Sequence, residues 1–196
     1  DQVLQSPEGA ARDRSIRNVR WAFDTTEQLL GQMLDHLRLE SGEVEARLEP
    51  LPLGPLIARV AEMHEPAARL KGMHIDALPT RLVALADRGL VERALGNLVT
   101  NAIRHAGARR VLVGARRHGD RVRLWVIDNG VGIPDADRAR LFEDHVQGSN
   151  HGDEIRGGFG LGLASCRRIA LLMGGAAGHE PRWRNGAAFW IDLPLG

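Results

Sequence analysis

The first clear pattern is an apolar seam in the N-terminal part of the chain. Seven apolar or nearly apolar residues recur at alternating steps of three and four positions, a heptad spacing typical of helices that pack on another helix. They are Ile16, Val19, Phe23, Thr26, Leu30, Met33 and Leu37. The seam predicts a helix over 14–40, which Ser41-Gly42 ends. A helix that dimerises through the seam is favoured by its length, and an amphipathic helix lying on its own domain stays open.

Beyond this helix, helical and strand periodicities alternate. Three prolines between 49 and 56 indicate a boundary. Further helices are predicted over 56–71, 89–105 and 163–173. Strands are predicted over 74–77, 82–86, 110–116, 121–127 and 187–193. This order predicts an α+β fold, in which a layer of helices covers one face of a mixed sheet.

Composition and charge narrow the function classes. The 196 residues include 26 basic and 25 acidic side chains, and a net charge of +1 gives no overall field for nucleic acid. The single Cys166 excludes an intramolecular disulfide and indicates a reducing compartment. No run of 18 apolar residues and no signal peptide is present. Because the sequence begins at Asp1, we expect a fragment of a longer protein, and membrane attachment through other segments stays open.

The first candidate site is a polar stripe on the predicted helix 89–105. Asn97, Asn101, Arg104 and His105 follow one another at i, i+4, i+7 and i+8, opposite an apolar stripe. Asparagine offers a neutral oxygen to a hard cation, while arginine and histidine donate hydrogen bonds to phosphate. The stripe therefore suits a magnesium–phosphate group, although an ordinary solvated face has the same pattern.

The second candidate site is the segment 128–134, Asp-Asn-Gly-Val-Gly-Ile-Pro, directly after a predicted strand. A carboxylate at the end of a buried strand needs a partner, and the amino group of adenine is one possibility. Gly130 and Gly132 would let a flat base approach the backbone. A tight Asp-Asn-Gly turn without a ligand is the alternative.

The third candidate site is the segment 157–163, Gly-Gly-Phe-Gly-Leu-Gly-Leu, which leads into a predicted helix. Bare backbone N–H groups at a helix N-terminus bind phosphate. The segment is not a P-loop, since no Lys-Ser or Lys-Thr follows it, and Leu163 stands where a dinucleotide fingerprint has its third glycine. A glycine hinge is the alternative.

In their order and spacing, the three segments together resemble the ATP-binding domain of bacterial sensor histidine kinases. That domain belongs to a superfamily that also holds gyrase, MutL and a heat-shock chaperone. Residues 97–105 resemble its N box, 128–134 its G1 box and 157–163 its G2 box. Leu141-Phe142-Glu143 resembles its F box, and 188–194 resembles its last strand.

The resemblance implies a Bergerat-type two-layer α/β sandwich over 49–196 that binds ATP and Mg²⁺. It implies that Asp128 binds the adenine amino group, that Asn101 coordinates magnesium, and that Asn101 and Arg104 are catalytic. A lid is expected over 134–157. The residues expected to contact the nucleotide are Asn97, Asn101, Arg104, His105, Asp128, Gly130, Gly132, Ile133, Phe142, Gly158, Gly160, Leu161, Gly162 and Leu163.

The N-terminal part carries a second resemblance. Residues 34–42 are similar to the end of the second helix of the dimerisation and histidine-phosphotransfer domain, so 1–48 is expected to be part of that region. The implied partners are the protein's own dimerisation domain, a second copy through helix 14–40, and the receiver domain of a response regulator, but no nucleic acid. A cytoplasmic location is implied, whether or not the intact protein is a membrane-bound sensor.

Several departures from the family pattern affect the expected activity. None of the eight histidines lies in a phosphoacceptor box, and His64-Glu65-Pro66 falls in the ATP domain's own first helix, so this chain alone should not phosphorylate itself. Asn97 stands where ATP-hydrolysing relatives have a glutamate, and an amide cannot act as a general base. ATP should therefore be held without fast hydrolysis.

Two further functions stay open. His145 stands in the F box where a second phenylalanine is usual, and Ala188 where Ser or Thr is common, which suits a degenerate ATP-binding or dimerisation scaffold. An anti-sigma-type Ser/Thr kinase uses the same ATP fold, but the heptad helix before the domain argues against it.

Overall fold

The computed structural model describes residues 30–31, 33–34, 37–143 and 161–196. In the helix predicted over 14–40, the described residues are helical, and the remainder of that helix lies outside the described residues. Gly42 adopts the left-handed conformation expected just past a helix end, with φ of 73°. Within the described part of the chain, no helix has both the length and the apolar character needed to cross a membrane.

Seven strands and four further helices make up the rest of the described structure. The strands are β1 (Glu49–Pro52), β2 (His74–Ala77), β3 (Val83–Ala86), β4 (Arg110–His118), β5 (Arg121–Asp128), β6 (Ala176–His179) and β7 (Ala188–Pro194). The helices are α1 (Leu53–Leu70), α2 (Arg88–His105), α3 (Asp135–Arg138) and α4 (Leu161–Leu172).

Five strands form one mixed sheet in the order β2-β4-β5-β7-β6. The pair β2–β4 is parallel and the other three pairs are antiparallel, with Val126 opposite Phe189 in the pair β5–β7. Strands β1 and β3 form a separate antiparallel pair. The predicted α+β class with a mixed sheet is therefore confirmed.

The hydrophobic core lies between this sheet and the helices. Alternate residues of β5, including Val122 and Leu124, are fully buried, as expected for a strand with one face on a core. Helix α2 packs against both α1 and α4, and its buried stripe includes Leu95 and Leu98. Asp87 caps α2 by accepting a hydrogen bond from the Leu90 N–H. These contacts fix the direction in which the polar stripe of α2 faces.

Two of the prolines that mark the predicted boundary, Pro50 and Pro52, lie in β1. Proline cannot donate to a ladder, but it is tolerated in a strand that pairs on one side only, as β1 does with β3. Helix α1 begins at Leu53, three residues before the predicted start, and includes Pro55. Proline fits there because N–H groups in a first helical turn have no intrahelical acceptor.

Besides β1, two more elements were not predicted, and helix α4, like α1, begins earlier than predicted. Strand β6, Ala-Ala-Gly-His, has low strand propensity and forms because β7 offers it a free edge. The short helix α3 lies where the sequence predicts the start of a lid. Helix α4 begins at Leu161, two residues before the predicted start, so it includes Gly162 in its first turn.

Candidate functional site

A small cleft lies between the C-terminal half of α2 and the end of β5. Its lining combines side chains of the first two candidate segments with residues from the start of β7. The lining residues are Asn101, Ala102, His105, Ala106, Asp128, Gly132, Ala187 and Phe189. Four of the predicted site residues therefore meet in one place, because the two segments belong to neighbouring elements of the core.

Asp128 is the buried acid of this cleft, with 4% of its surface exposed. Its Oδ1 atom accepts hydrogen bonds from the N–H groups of Gly130 at 2.9 Å and Ala187 at 3.1 Å. Burial raises the pKa of Asp128, although both hydrogen bonds act in the opposite direction. Among the described residues, none donates a hydrogen bond to Oδ2, so this oxygen can accept one from a ligand in the cleft.

Glycine is required where the loop after β5 crosses the end of α2. A Cβ atom on Gly130 would lie 1.9 Å from the Ala106 carbonyl oxygen, and the same oxygen accepts a hydrogen bond from the Val131 N–H at 2.9 Å. Gly186 has φ of 108°, and a Cβ atom there would lie 2.1 Å from the Asp128 carbonyl oxygen. Backbone therefore packs directly on backbone around Asp128.

Some residues that shape the site had no predicted role. The Asn129 Oδ1 atom accepts hydrogen bonds from the N–H groups of Arg109 and Arg110, at 3.0 and 2.9 Å, which fixes the loop after β5 to the start of β4. Gly186 follows Asn185, and the pair Asn-Gly is typical of a turn. Its close approach to Asp128 joins residues that are distant along the chain, so no local pattern could reveal it.

Another predicted residue of α2, Asn97, contacts α4. The Asn97 amide Nδ2 donates a hydrogen bond to the Gly162 carbonyl oxygen, with a donor–acceptor distance of 3.4 Å. Helix α4 starts at Leu161, which is buried, so its first turn is held beside α2. Arg104 is partly buried in the last turn of α2, one residue before His105.

Three other predicted residues pack against a residue of the cleft or against the hydrophobic core. Phe142 packs edge-to-face on Phe189, with ring centroids 6.3 Å apart, and Phe189 lines the cleft. Ile133 and Leu163 are partly buried and pack against the hydrophobic core. Gly158, Gly160 and His145 lie outside the described residues, as does most of the predicted lid.

The cleft suits a metal ion that is bound mainly by the phosphates of its substrate and only in part by the protein. In the described ranges, no group of three or more His, Cys, Asp or Glu side chains could hold a metal ion. The cleft instead offers the neutral amide of Asn101. Magnesium is commonly held by few protein oxygens and by the phosphates of its substrate, so this residue fits magnesium bound to a nucleotide.

The part of the chain that forms this cleft matches a known protein family. The family model described as "Histidine kinase-, DNA gyrase B-, and HSP90-like ATPase" matches residues 86–196, more than half of the chain. The chain belongs to this family. Within the family it has the ATP-binding catalytic domain of a sensor histidine kinase, and the resemblance inferred from the three segments is confirmed.

Curated relatives in the family are sensor kinases. The sensor histidine kinase AruS of Pseudomonas aeruginosa is 31% identical over 203 residues, covering 99% of this chain and 20% of that protein. The sensor protein KdpD of Escherichia coli is 32% identical, covering 95% of this chain and 21% of that protein. The chain thus spans about a fifth of the length of these relatives.

Solved structures of the family share the fold. Full-length ShkA in complex with AMPPNP is 33% identical and aligns with a TM-score of 0.76, covering 94% of this chain and 39% of that one. The catalytic domain of the histidine kinase ThkA is 27% identical, with a TM-score of 0.62, and covers 76% of this chain and 97% of that one. The two-layer fold is therefore that of a histidine kinase catalytic domain.

Proposed function

We propose that the chain binds Mg-ATP and transfers the γ-phosphate to a histidine that is not among the eight in this sequence. A response-regulator aspartate would then receive the phosphoryl group. The observation that carries the proposal is the buried carboxylate of Asp128, which keeps one oxygen available in a cleft also lined by Asn101 and His105. Family membership supports the nucleotide, and the names of the relatives support the sensor-kinase role.

In this proposal each residue of the site has a chemical role. Asp128 accepts a hydrogen bond from the adenine amino group through Oδ2. Asn101 would hold magnesium, which neutralises phosphate charge when it is bound. Arg104 and His105 donate to phosphate or ribose, and the first N–H groups of α4 suit phosphate because they have no acceptor within the helix. Catalysis then consists of positioning and charge stabilisation.

We also propose that the chain holds ATP without hydrolysing it quickly. The Asn97 side chain is an amide, which cannot take a proton from water, and it already donates to the Gly162 carbonyl. The nucleophile is then the histidine of a dimerisation domain, to which residues 1–48 contribute while 49–196 form the ATP domain. This division, a homodimer through helix 14–40 and a cytoplasmic location all stay predictions.

The test replaces Asp128 by asparagine, which keeps an acceptor oxygen for the two backbone donors and removes the charge. A hydrogen bond to a charged group contributes about 1.5–3 kcal/mol, so ATP affinity should fall about tenfold or more. Isothermal titration with ATP, with and without Mg²⁺, measures it. The control is Asp120→Asn, in the exposed hairpin turn between β4 and β5. Equal affinities of Asp128→Asn and wild type would contradict the adenine assignment.

The same preparation separates the alternatives. With labelled ATP and a separately made dimerisation domain, a kinase of the proposed type forms an acid-labile phosphohistidine on that domain. An acid-stable phosphate on serine or threonine would instead favour the Ser/Thr kinase. If wild type shows no magnesium-dependent ATP binding, the scaffold function is favoured.

A further inference from the structure

The guanidinium of Arg138 joins two loops that are distant in sequence. Its Nε donates to the Ile133 carbonyl oxygen at 3.3 Å, and its Nη1 donates to the Pro181 carbonyl oxygen, also at 3.3 Å. Ile133 belongs to the loop after β5, while Pro181 belongs to the loop between β6 and β7. Nη1 also lies 2.8 Å from the Asp135 carboxylate, so the guanidinium contacts three segments.

The same two loops supply the donors that hold Asp128. The loop after β5 provides the Gly130 N–H, and the loop before β7 provides the Ala187 N–H, both to the Oδ1 atom. The loops also touch directly, since a Cβ atom on Gly132 would lie 3.0 Å from the Gly186 carbonyl oxygen. A shift of either loop therefore moves a donor away from the carboxylate.

The hydrogen bond to Ile133 is better shielded from water than the ion pair with Asp135. The Asp135 side chain is 85% exposed, and a pair with such an exposed partner is screened by water. The Arg138 side chain is 24% exposed; its hydrogen bond to the Ile133 carbonyl oxygen is partly buried, and its hydrogen bond to the Pro181 carbonyl oxygen is exposed. Arg138 is not among the described residues that line the cleft, and its contacts connect it to the cleft through these loops.

We propose that Arg138 is a positioning residue for adenine recognition. It clamps the loops after β5 and before β7, so that their N–H groups hold Oδ1 and leave Oδ2 of Asp128 facing the 6-amino group of the base. This inference rests on the proposed function, and it adds a residue that determines nucleotide specificity without touching the nucleotide. Its signature is a loss of preference for adenine.

The experiment compares Arg138→Met with Arg140→Met, a matched control two residues away. Methionine keeps an unbranched side chain without donors, and Arg140 is exposed and pairs only with Glu143 among the described residues. Isothermal titration measures the affinities for ATP and for ITP, which carries an oxygen in place of the 6-amino group. Arg138→Met should weaken ATP binding by about three- to tenfold and leave ITP binding nearly unchanged. The ratio of ATP affinity to ITP affinity should therefore fall by the same factor, about three- to tenfold.

Two further variants separate positioning from a general loss of structure. Arg138→Lys should restore part of the preference, since its ammonium can donate to a carbonyl oxygen. In the double variant Asp128→Asn/Arg138→Met, ATP affinity should be nearly the same as in Asp128→Asn alone, because both changes act on one interaction. Lower stability alone would weaken ATP and ITP binding together.

Each outcome decides between the claims. If Arg138→Met keeps the preference for ATP, or loses ATP and ITP affinity equally, the positioning role is wrong while the proposed function stands. If the two losses add in the double variant, Arg138 acts independently of Asp128 and the inference also fails. If Asp128→Asn itself leaves the ATP preference intact, the proposed adenine recognition fails first.

Discussion

Gly130 shows how closely one residue can be specified by its surroundings. Its Cα lies so near the end of α2 that any Cβ atom would overlap the Ala106 carbonyl oxygen. That oxygen also accepts the Val131 N–H, so it cannot move away without losing a hydrogen bond. The position therefore excludes every other residue for a packing reason, whether or not a nucleotide is bound.

We expect Gly130→Ala to destabilise the domain by about 1–3 kcal/mol or more, the usual cost of forcing extra atoms into a packed site. Urea unfolding measures the change. The control is Gly89→Ala in the first turn of α2, where the nearest neighbour of an added Cβ is the Asp87 carboxylate at 3.5 Å. Alanine favours helix, so this control should be neutral or stabilising. Equal stability of the two variants would contradict the close approach.

At the residue scale, the sequence predicted the site residues that stand in local motifs, and it missed those that act through contacts with distant segments. Asp128 and Asn101 stand in short segments whose residue types already suit adenine and magnesium, and the structure brings them to one cleft. Arg138 and Gly186 gave no such signal. Their contacts reach Pro181 and Asp128, and a side chain's partners across a fold do not follow from its sequence neighbours.

Among the elements, α1 is tied to the outer strand β2 by Glu65. Its Oε1 atom accepts from Arg69 at 2.9 Å and lies 2.8 Å from the His74 ring nitrogen, while Oε2 accepts the Ile75 N–H at 3.1 Å. The last bond occupies a backbone donor on a strand that pairs only with β4 in the sheet. The hydrogen bonds from Arg69 and His74 lower the pKa of Glu65 to about 2.

This pKa predicts how stability depends on acidity. Because the folded pKa of Glu65 lies below the unfolded value, its contribution is present above about pH 4.5 and is lost as the pH falls toward about 2. Glu65→Gln should therefore lower stability at pH 6 and flatten its loss between pH 5 and 2. Urea unfolding across this range measures it, with the exposed Glu62→Gln as control. Parallel profiles of Glu65→Gln and wild type would contradict the assignment.

Element type was predictable where periodicity was long. Helix α2 and strand β5 follow from their patterns, because their 18 and 8 residues repeat a helical and an alternating burial pattern over several periods. Strands β1 and β6 have four residues each, and their residues favour other conformations. Strands β2 and β3 are equally short but were predicted, so the difference lies in residue type. Pairing with β3 and β7 decides β1 and β6, and it joins segments that are distant along the chain.

At the scale of the whole molecule, the end of the N-terminal helical segment has one buried and one exposed leucine. Leu39 is buried with 6% exposure and belongs to the hydrophobic core. Leu37, two residues earlier, is 48% exposed and lies on the predicted seam. Glu40 contacts Arg168 of α4 at 3.2 Å, so the segment reaches the ATP domain beside these leucines.

We expect the two leucines to separate folding from self-association. Leu39→Ala should destabilise the ATP domain by about 2–5 kcal/mol, the range for a buried leucine. Leu37→Ala should leave the unfolding midpoint nearly unchanged and weaken dimerisation through the seam. Urea unfolding and sedimentation velocity measure the two effects. If Leu37→Ala destabilises as much as Leu39→Ala, the seam packs on its own domain, the alternative that the heptad pattern left open.

The position of β7 in the sheet affects how the domain can fold while it is being synthesised. The ribosome makes this strand after the other six, yet it lies between β5 and β6 in the finished sheet. Until β7 emerges, β6 has no partner strand and β5 is an open edge. The Ala187 N–H, which donates to Asp128, comes immediately before β7. We therefore expect a growing chain to gain the Ala187 donor to Asp128, and with it ATP binding, only after β7 has joined the sheet.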